Sequence, residues 1–582
     1  MAMLVFEMAL IVRYAINVLK NITKSRKAVM TQQSRRKFLK TTAIGSATVA
    51  LGASGCSASE PTSKNAMDHV ILVLFENRSF DNILGYLYQQ GEVPKFEGVV
   101  GKNLSNPVPS WAQHPAPGGR VYYGVASSMN SPTSDPGEEY PHTNTQMFNT
   151  IDEQNKFKMG KNIVAPWNVP KSPDTIPNMQ GFVTDYISNF TADHLRQPSL
   201  KEYSEIMTGF TPEQIPVITG LARGFSCFDQ WYSEVPSQTF PNRAFWVAGT
   251  SSGYVVNSPA DNFLLNNKAE TIFNRLSANG KTWKIYVGQP DPLSFTGLVA
   301  MPVLRKYFAT NIVPFSEYEK DCANGTLPNF AFVEPALVNG HADYHPSAGM
   351  AIMAGQNLPL DPPSSVLSGE AYLSKIYHAY KAMGTKQKGS NVLNTTLFVG
   401  WDEPGGTYDH VPPPRVPSPE AGAPKGQCDF DFTLSGYRTP AVMVSPWIPE
   451  KTVFSDEYRH TSMIATLRKV WNLGQPFTQR DASARTLDNC FTLKTPRDPS
   501  TWPNITARPA PPYVAQDPNN LDTAYSELAQ AMVPAIVTFA KKTGYAVPSM
   551  PKDPNAKVTG AQALNIAKEF ANEMFPLLAA KK

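Results

Sequence analysis

Two short apolar runs that break off into acidic clusters constrain this chain most. His69-Val-Ile-Leu-Val-Leu-Phe75 leads into Glu76-Asn77-Arg78-Ser79-Phe80-Asp81, and Thr395-Thr-Leu-Phe-Val-Gly400 leads into Trp401-Asp402-Glu403-Pro404-Gly405-Gly406. An apolar run without alternation reads as a strand buried on both faces. In open α/β sheets, ligands sit just beyond the carboxyl ends of such strands. Oxygen ligands delivered there from two strands suit a hard cation, so the pattern points to metal-assisted chemistry at the two clusters. Asp402 and Glu403 either both ligate the metal, if the strand has ended and turned there, or one of them is an ordinary surface acid. The same alternatives hold for Glu76 and Asn77.

Further strands are expected over 282–287, 329–333 and 441–444, and a helix over 215–225 feeding a strand around Cys227. More helices are expected over 371–383, 461–471, 525–542 and 560–579. Strands separated by helices predict an α/β fold with a doubly wound, mostly parallel central sheet flanked by helices. Residues 98–178, rich in Pro, Ser, Asn and Gly, read as a long loop insertion.

The 582 residues divide, on this reading, into a leader (1–56), a polar linker (57–66), a catalytic domain (67–493) and a C-terminal loop and helical extension packed on the core (494–582). The leader holds nine of the 52 basic residues and one acid, Glu7, so 43 basic and 47 acidic residues remain beyond it. The body is mildly acidic, which gives no support to a nucleic-acid partner. Ser34-Arg35-Arg36-Lys37-Phe38-Leu39-Lys40 followed by an apolar stretch too short to span a bilayer predicts export by the twin-arginine machinery, to the periplasm, the envelope or the medium. Ala53-Ser54-Gly55-Cys56 is similar to a lipobox, with a plain cleavage site as the alternative. Residues 1–29 are either an extension or lie upstream of a start at Met30. Beyond the leader, Cys227, Cys322, Cys428 and Cys490 are enough for two disulfides in an exported chain.

Thr239, in Val235-Pro-Ser-Gln-Thr239-Phe-Pro-Asn-Arg243, stands just before an expected helix start, where backbone N–H groups favour phosphate. A nearby cation would make its hydroxyl a nucleophile. The alternative is that Thr239 only caps the helix. His142, His345 and His410 are expected in polar, Pro-bearing loops, and His460 at a helix start. Histidines in such loops can hold a phosphoryl oxygen or protonate a leaving group. Gly249-Thr-Ser251-Ser-Gly253 fits the serine-hydrolase elbow, but the residues after it do not read as helical.

Together Glu76-Asn77-Arg78-Ser79-Phe80-Asp81, Thr239-Phe-Pro-Asn-Arg243 and Asp402-Glu403-Pro-Gly-Gly through Asp409-His410-Val-Pro-Pro-Pro414 resemble the bacterial phosphoesterase family of non-haemolytic phospholipases C and exported acid phosphatases, on an alkaline-phosphatase-like fold. The resemblance implies that Glu76, Asn77, Asp402 and Glu403 hold one divalent metal, with Ca, Mg or Mn favoured by oxygen ligands and Zn or Fe as alternatives. It implies Thr239 as the phosphorylated nucleophile. His142, His345 and His410 would line the phosphate pocket, with Asp343 or Glu334 nearby. Asp135-Pro-Gly-Glu138 departs from the family's Asp-Pro-x-His, and Asp343-Tyr-His345-Pro from its Gln-His-Pro-Pro. The helical C-terminus, in place of the repeated β-rich domains of long phospholipases, points to an acid phosphatase acting on phosphomonoesters, with a phospholipase C, a serine esterase using Ser251 and a non-catalytic metal-stabilised envelope protein as alternatives.

Overall fold

The first apolar run is an inner strand of an eight-stranded sheet. The computed structural model describes residues 62–512 (except 260–261, 338–340, 347–349, 354–355 and 360–363) together with 536, 538–543 and 560–579. The sheet strands are β1 (His69–Phe75), β2 (Ser226–Phe228), β3 (Trp283–Val287), β4 (Ile312–Pro314), β5 (Phe330–Glu334), β6 (Thr395–Trp401), β7 (Ala441–Val444) and β8 (Thr452–Phe454). Their order is β8-β2-β7-β6-β1-β5-β3-β4. Only β7 runs antiparallel to its neighbours.

Alternate residues of β1 feed two different cores. Val70, Leu72 and Leu74 pack with Phe398 and with Phe240 and Ala244 of α5 (Thr239–Ala248) and Ile464 and Leu467 of α7 (Thr461–Val470). Ile71, Val73 and Phe75 pack with Leu397 and Val399 and with α4 (Pro216–Gly224) and α6 (Val366–Ala382). This two-sided burial is why the run carries no polar alternation. Each such side chain contributes roughly 1.5–3 kcal/mol on leaving water. Beyond 494, Trp502 and Ile505 join the second core. Ile566 and Phe570 of α8 (Gly560–Met574) and Phe575 join the first.

The insertion is not the loop its composition predicts. It contains the helix α2 (Tyr140–Phe148), which packs with α3 (Phe182–His194) around a third core that includes Met147, Phe182, Tyr186 and Tyr408. Pro141 occupies the first turn of α2, where its missing N–H costs nothing. All nine residues of α2 are buried, so Thr143, Asn144, Thr145 and Gln146 mask the helical period. His142 is therefore helical rather than in a loop. Cys227, Cys322, Cys428 and Cys490 are all free thiols, so the two-disulfide expectation is corrected. They lie on different elements, and three of them are buried. The leader, Cys56 and most of 525–542 lie outside the described residues.

Candidate active site

The sheet register brings the two acidic clusters together. β1 and β6 pair in parallel from His69↔Thr395 to Phe75↔Trp401, so Glu76 and Asp402 leave adjacent strands side by side. On the other flank of β1, Val73 is level with Val333, and Glu334 ends β5. Arg243, on the second turn of α5, reaches all three. Its Nε donates to Asp402 Oδ2 at 3.0 Å, its Nη2 to Glu76 Oε1 at 3.0 Å, and its Nη1 lies 3.5 Å from Glu334 Oε1. All four side chains are buried.

Both strands turn sharply after their last residue, so neighbouring side chains can face one place. Asn77 takes φ 58° and Gly405 φ 58°. A Cβ on Gly405 would sit 2.3 Å from Asn77 O, so only glycine fits. Asn77 Nδ2 donates to Glu138 Oε2, and Gln238 Nε2 donates to Glu138 Oε1 at 3.3 Å. Glu138 thus joins the cluster from the insertion, although the sequence singled it out only as a departure from the family pattern. Among the described residues, Asn77 Oδ1 and Glu403 Oε1 are buried without a hydrogen-bond partner.

Negative charge is in excess here. Burial, then neighbouring carboxylates, hold Glu76 and Glu403 well above the usual carboxylate range. Burial and Glu139 raise Glu138 to about 7, and burial raises Asp402 to about 6 against the pull of Arg243. Acids raised in the folded state keep protons that the unfolded chain, with carboxyls near 4, has already lost. Stability should therefore fall as pH rises from about 4.5 to 7. Urea midpoints measured in chelator across that window should decline; a flat or rising trend would mean that countercharge is already complete.

Thr239 is the first residue of α5. Gln238 is the cap, and it makes no side-chain cap bond. Thr239 is thus not the capping residue. It is buried, and it precedes Arg243 by four positions, which places both on one helical face. Asp343 O accepts from Glu76 N at 3.0 Å, and Asp343 Oδ1 accepts from His345 N at 3.0 Å. Burial lowers His345 to about 4, so this imidazole is neutral. His142 Nδ1 lies 2.8 Å from Asp185 Oδ1, a residue that sequence reasoning did not select.

His410 has a different setting. Its Nδ1 lies 2.6 Å from Asp81 Oδ2 and its Nε2 2.9 Å from Glu97 Oε1, while Arg438 joins Asp81 and Asp409 at 2.8 and 3.0 Å. Asp81, Asp409 and His410 offer ligand atoms within 4.8 Å of one another, a possible metal-binding group beside Arg438. His460 accepts from Trp231 Nε1 at 3.1 Å and donates through Nε2 to the Asp402 carbonyl at 2.6 Å, so it braces the second strand end. Ser251 Oγ donates to Tyr254 O at 2.5 Å and follows a helix, not a strand, so the elbow match has no structural counterpart.

A family model described as the Phosphoesterase family matches residues 67–474, so the chain belongs to that family and is a hydrolase of phosphoric esters. It is 30% identical to non-specific phospholipase C6 of Arabidopsis thaliana over 86% of this chain and 85% of that one. It is 24% identical to phospholipase C A of Mycobacterium tuberculosis (strain ATCC 25618 / H37Rv), over 81% and 87%. Among solved structures, a protein in the alkaline phosphatase superfamily from Vibrio parahaemolyticus aligns with TM-score 0.27 and 15% identity, over 46% of this chain and 64% of that one.

Proposed function

We propose that the chain is a phospholipase C, cleaving phosphodiester headgroups through a phosphorylated Thr239. The observation that carries the chemistry is the buried excess of acid held by Arg243 of α5, the helix that Thr239 heads, with Asn77 Oδ1 and Glu403 Oε1 lacking partners among the described residues. That donor set fits one divalent cation held by Glu76, Asn77, Asp402 and Glu403, and all-oxygen ligation favours Ca, Mg or Mn. When bound, the cation would lower the pKa of the Thr239 hydroxyl and offset phosphate charge. Arg243 fixes Glu76 and Asp402 in place, and on this reading His345, whose backbone N–H is held by Asp343, lines the phosphate pocket. From the sequence alone the helical C-terminus points to the monoester reading, an acid phosphatase. However, this chain spans 85% of the length of a relative named as a phospholipase C, so that segment does not argue against a diester. Export through the twin-arginine pathway completes the proposal.

Hydrolysis of phosphatidylcholine micelles, p-nitrophenylphosphorylcholine and p-nitrophenyl phosphate should be compared with and without chelator. Chelator-sensitive turnover of the two diesters is expected. Turnover of the monoester alone at low pH would replace this reading with the acid phosphatase, and no turnover of any ester would reject both.

A further inference from the structure

A buried pair joins the insertion to α3, and the strand-end cluster does not use its chemistry. His142 and Asp185 are each 2% exposed in their side chains and 2.8 Å apart. Asp185 is held in turn, since Gln146 Nε2 donates to its Oδ2 at 2.8 Å and to Gly137 O at 2.6 Å. Gly137 lies against the imidazole, where a Cβ would come within 2.4 Å of His142 Cγ and Nδ1. The ring is thus fixed on one side by Asp185 and on one face by backbone. His142 Nε2 is buried and has no hydrogen-bond partner among the described residues. The nearest acid to it is Glu139, at 3.7 Å. The same loop carries Glu138, which contacts Asn77 and Gln238 beside Thr239.

Resting on the reading above, we propose that Asp185 is a positioning residue that holds His142 with Nδ1–H toward its carboxylate and Nε2–H free to protonate the leaving oxygen. In the first step the Thr239 alkoxide forms a bond to phosphorus, and the bond from phosphorus to the leaving oxygen breaks. The electron pair goes to that oxygen, which takes the Nε2 proton. In the second step water attacks phosphorus, gives its proton back to His142 Nε2, and the Thr239 alkoxide departs. The proton lent in the first step is recovered in the second. Burial disfavours the imidazolium, but Asp185, Glu139 and Asp193, the acids that face it, outweigh this and lift His142 to about 9. The donor is therefore charged at neutral pH.

The test separates leaving groups. p-Nitrophenolate departs without a proton, whereas the glycerol oxygen of dihexanoyl phosphatidylcholine needs one. Asp185→Asn should lower kcat on the phosphatidylcholine ~10²-fold and on p-nitrophenylphosphorylcholine less than ~5-fold, within the range for general acid catalysis. It should leave KM unchanged and move the alkaline limb of kcat to lower pH. If only monoesters are cleaved, glycerol phosphate and p-nitrophenyl phosphate serve as the pair. Equal losses on both leaving groups, or an unmoved limb, would overturn the proposal. If Asp185→Asn does not fold, Gln146→Ala should show the same selectivity in smaller degree. Thr239→Ala, by contrast, should be inactive on every substrate, so an active Thr239→Ala chain indicts the phospho-threonine reading and not the dyad.

Discussion

Thr239→Ala is expected to abolish turnover while the protein stays folded. The expected loss is at least ~10³-fold in kcat, since removing the proposed nucleophile would leave only binding and electrostatic contributions. The stability cost should stay within about 1 kcal/mol, the scale of one buried methyl group. The reasons are local. The residue heads α5 without acting as its cap, and Ala is the best helix former. No hydrogen bond of its hydroxyl to another described residue is lost with the side chain. Thr239→Ser should keep measurable activity because the hydroxyl remains. Rapid quench of the wild-type chain with a labelled substrate should trap phosphate on Thr239 and none on the Ala variant. Activity in Thr239→Ala, with normal thermal unfolding, would remove Thr239 from the mechanism.

The strand ends were legible in the sequence because two-sided burial erases polar alternation, and the acids then stand out where the apolar run stops. The register could not be read. That Phe75 pairs with Trp401, and so sets Glu76 beside Asp402, is a long-range fact that no local pattern encodes. Arg243 was visible in the Thr-Phe-Pro-Asn-Arg string, and its spacing of four from Thr239 was the available signal that the two share a helical face. The insertion misled for a physical reason. A helix that is buried all round and carries polar residues of its own has no amphipathic period, so α2, with His142 on it, read as loop. Asp185 carried no signal of its own, since it lies within a helix whose acids look like solvated ones. The cysteines misled in the opposite sense. An even count suggested bridges, yet the fold sets the four on separate elements, with Cys227 inside β2 and Cys322 facing the second core.

Arg243→Met should be the most damaging single change to the folded state. The guanidinium is fully buried and meets Asp402, Glu76 and Glu334, each from a different parallel strand. Removing one partner of a buried ion pair leaves uncompensated charge and costs roughly 3–5 kcal/mol. Here one cation serves three carboxylates, so the cost should lie at the upper end, near 5 kcal/mol. The loss must depend on pH in a definite sense. Glu76 and Asp402 are already raised by burial, and without Arg243 they rise further. They then take up protons on folding over a wider window, and the deficit shrinks as pH falls toward 5. A divalent cation at pH 7 should recover part of the stability by supplying the missing positive charge, in proportion to its binding to the folded state alone. Denaturant unfolding of Arg243→Met at pH 5 and pH 7, with chelator and with added cation, reads all three effects. A variant within ~0.5 kcal/mol of the wild type at pH 7, the scale of an ordinary surface change, would show that the strand-end acids are neutral in the folded protein and need no countercharge.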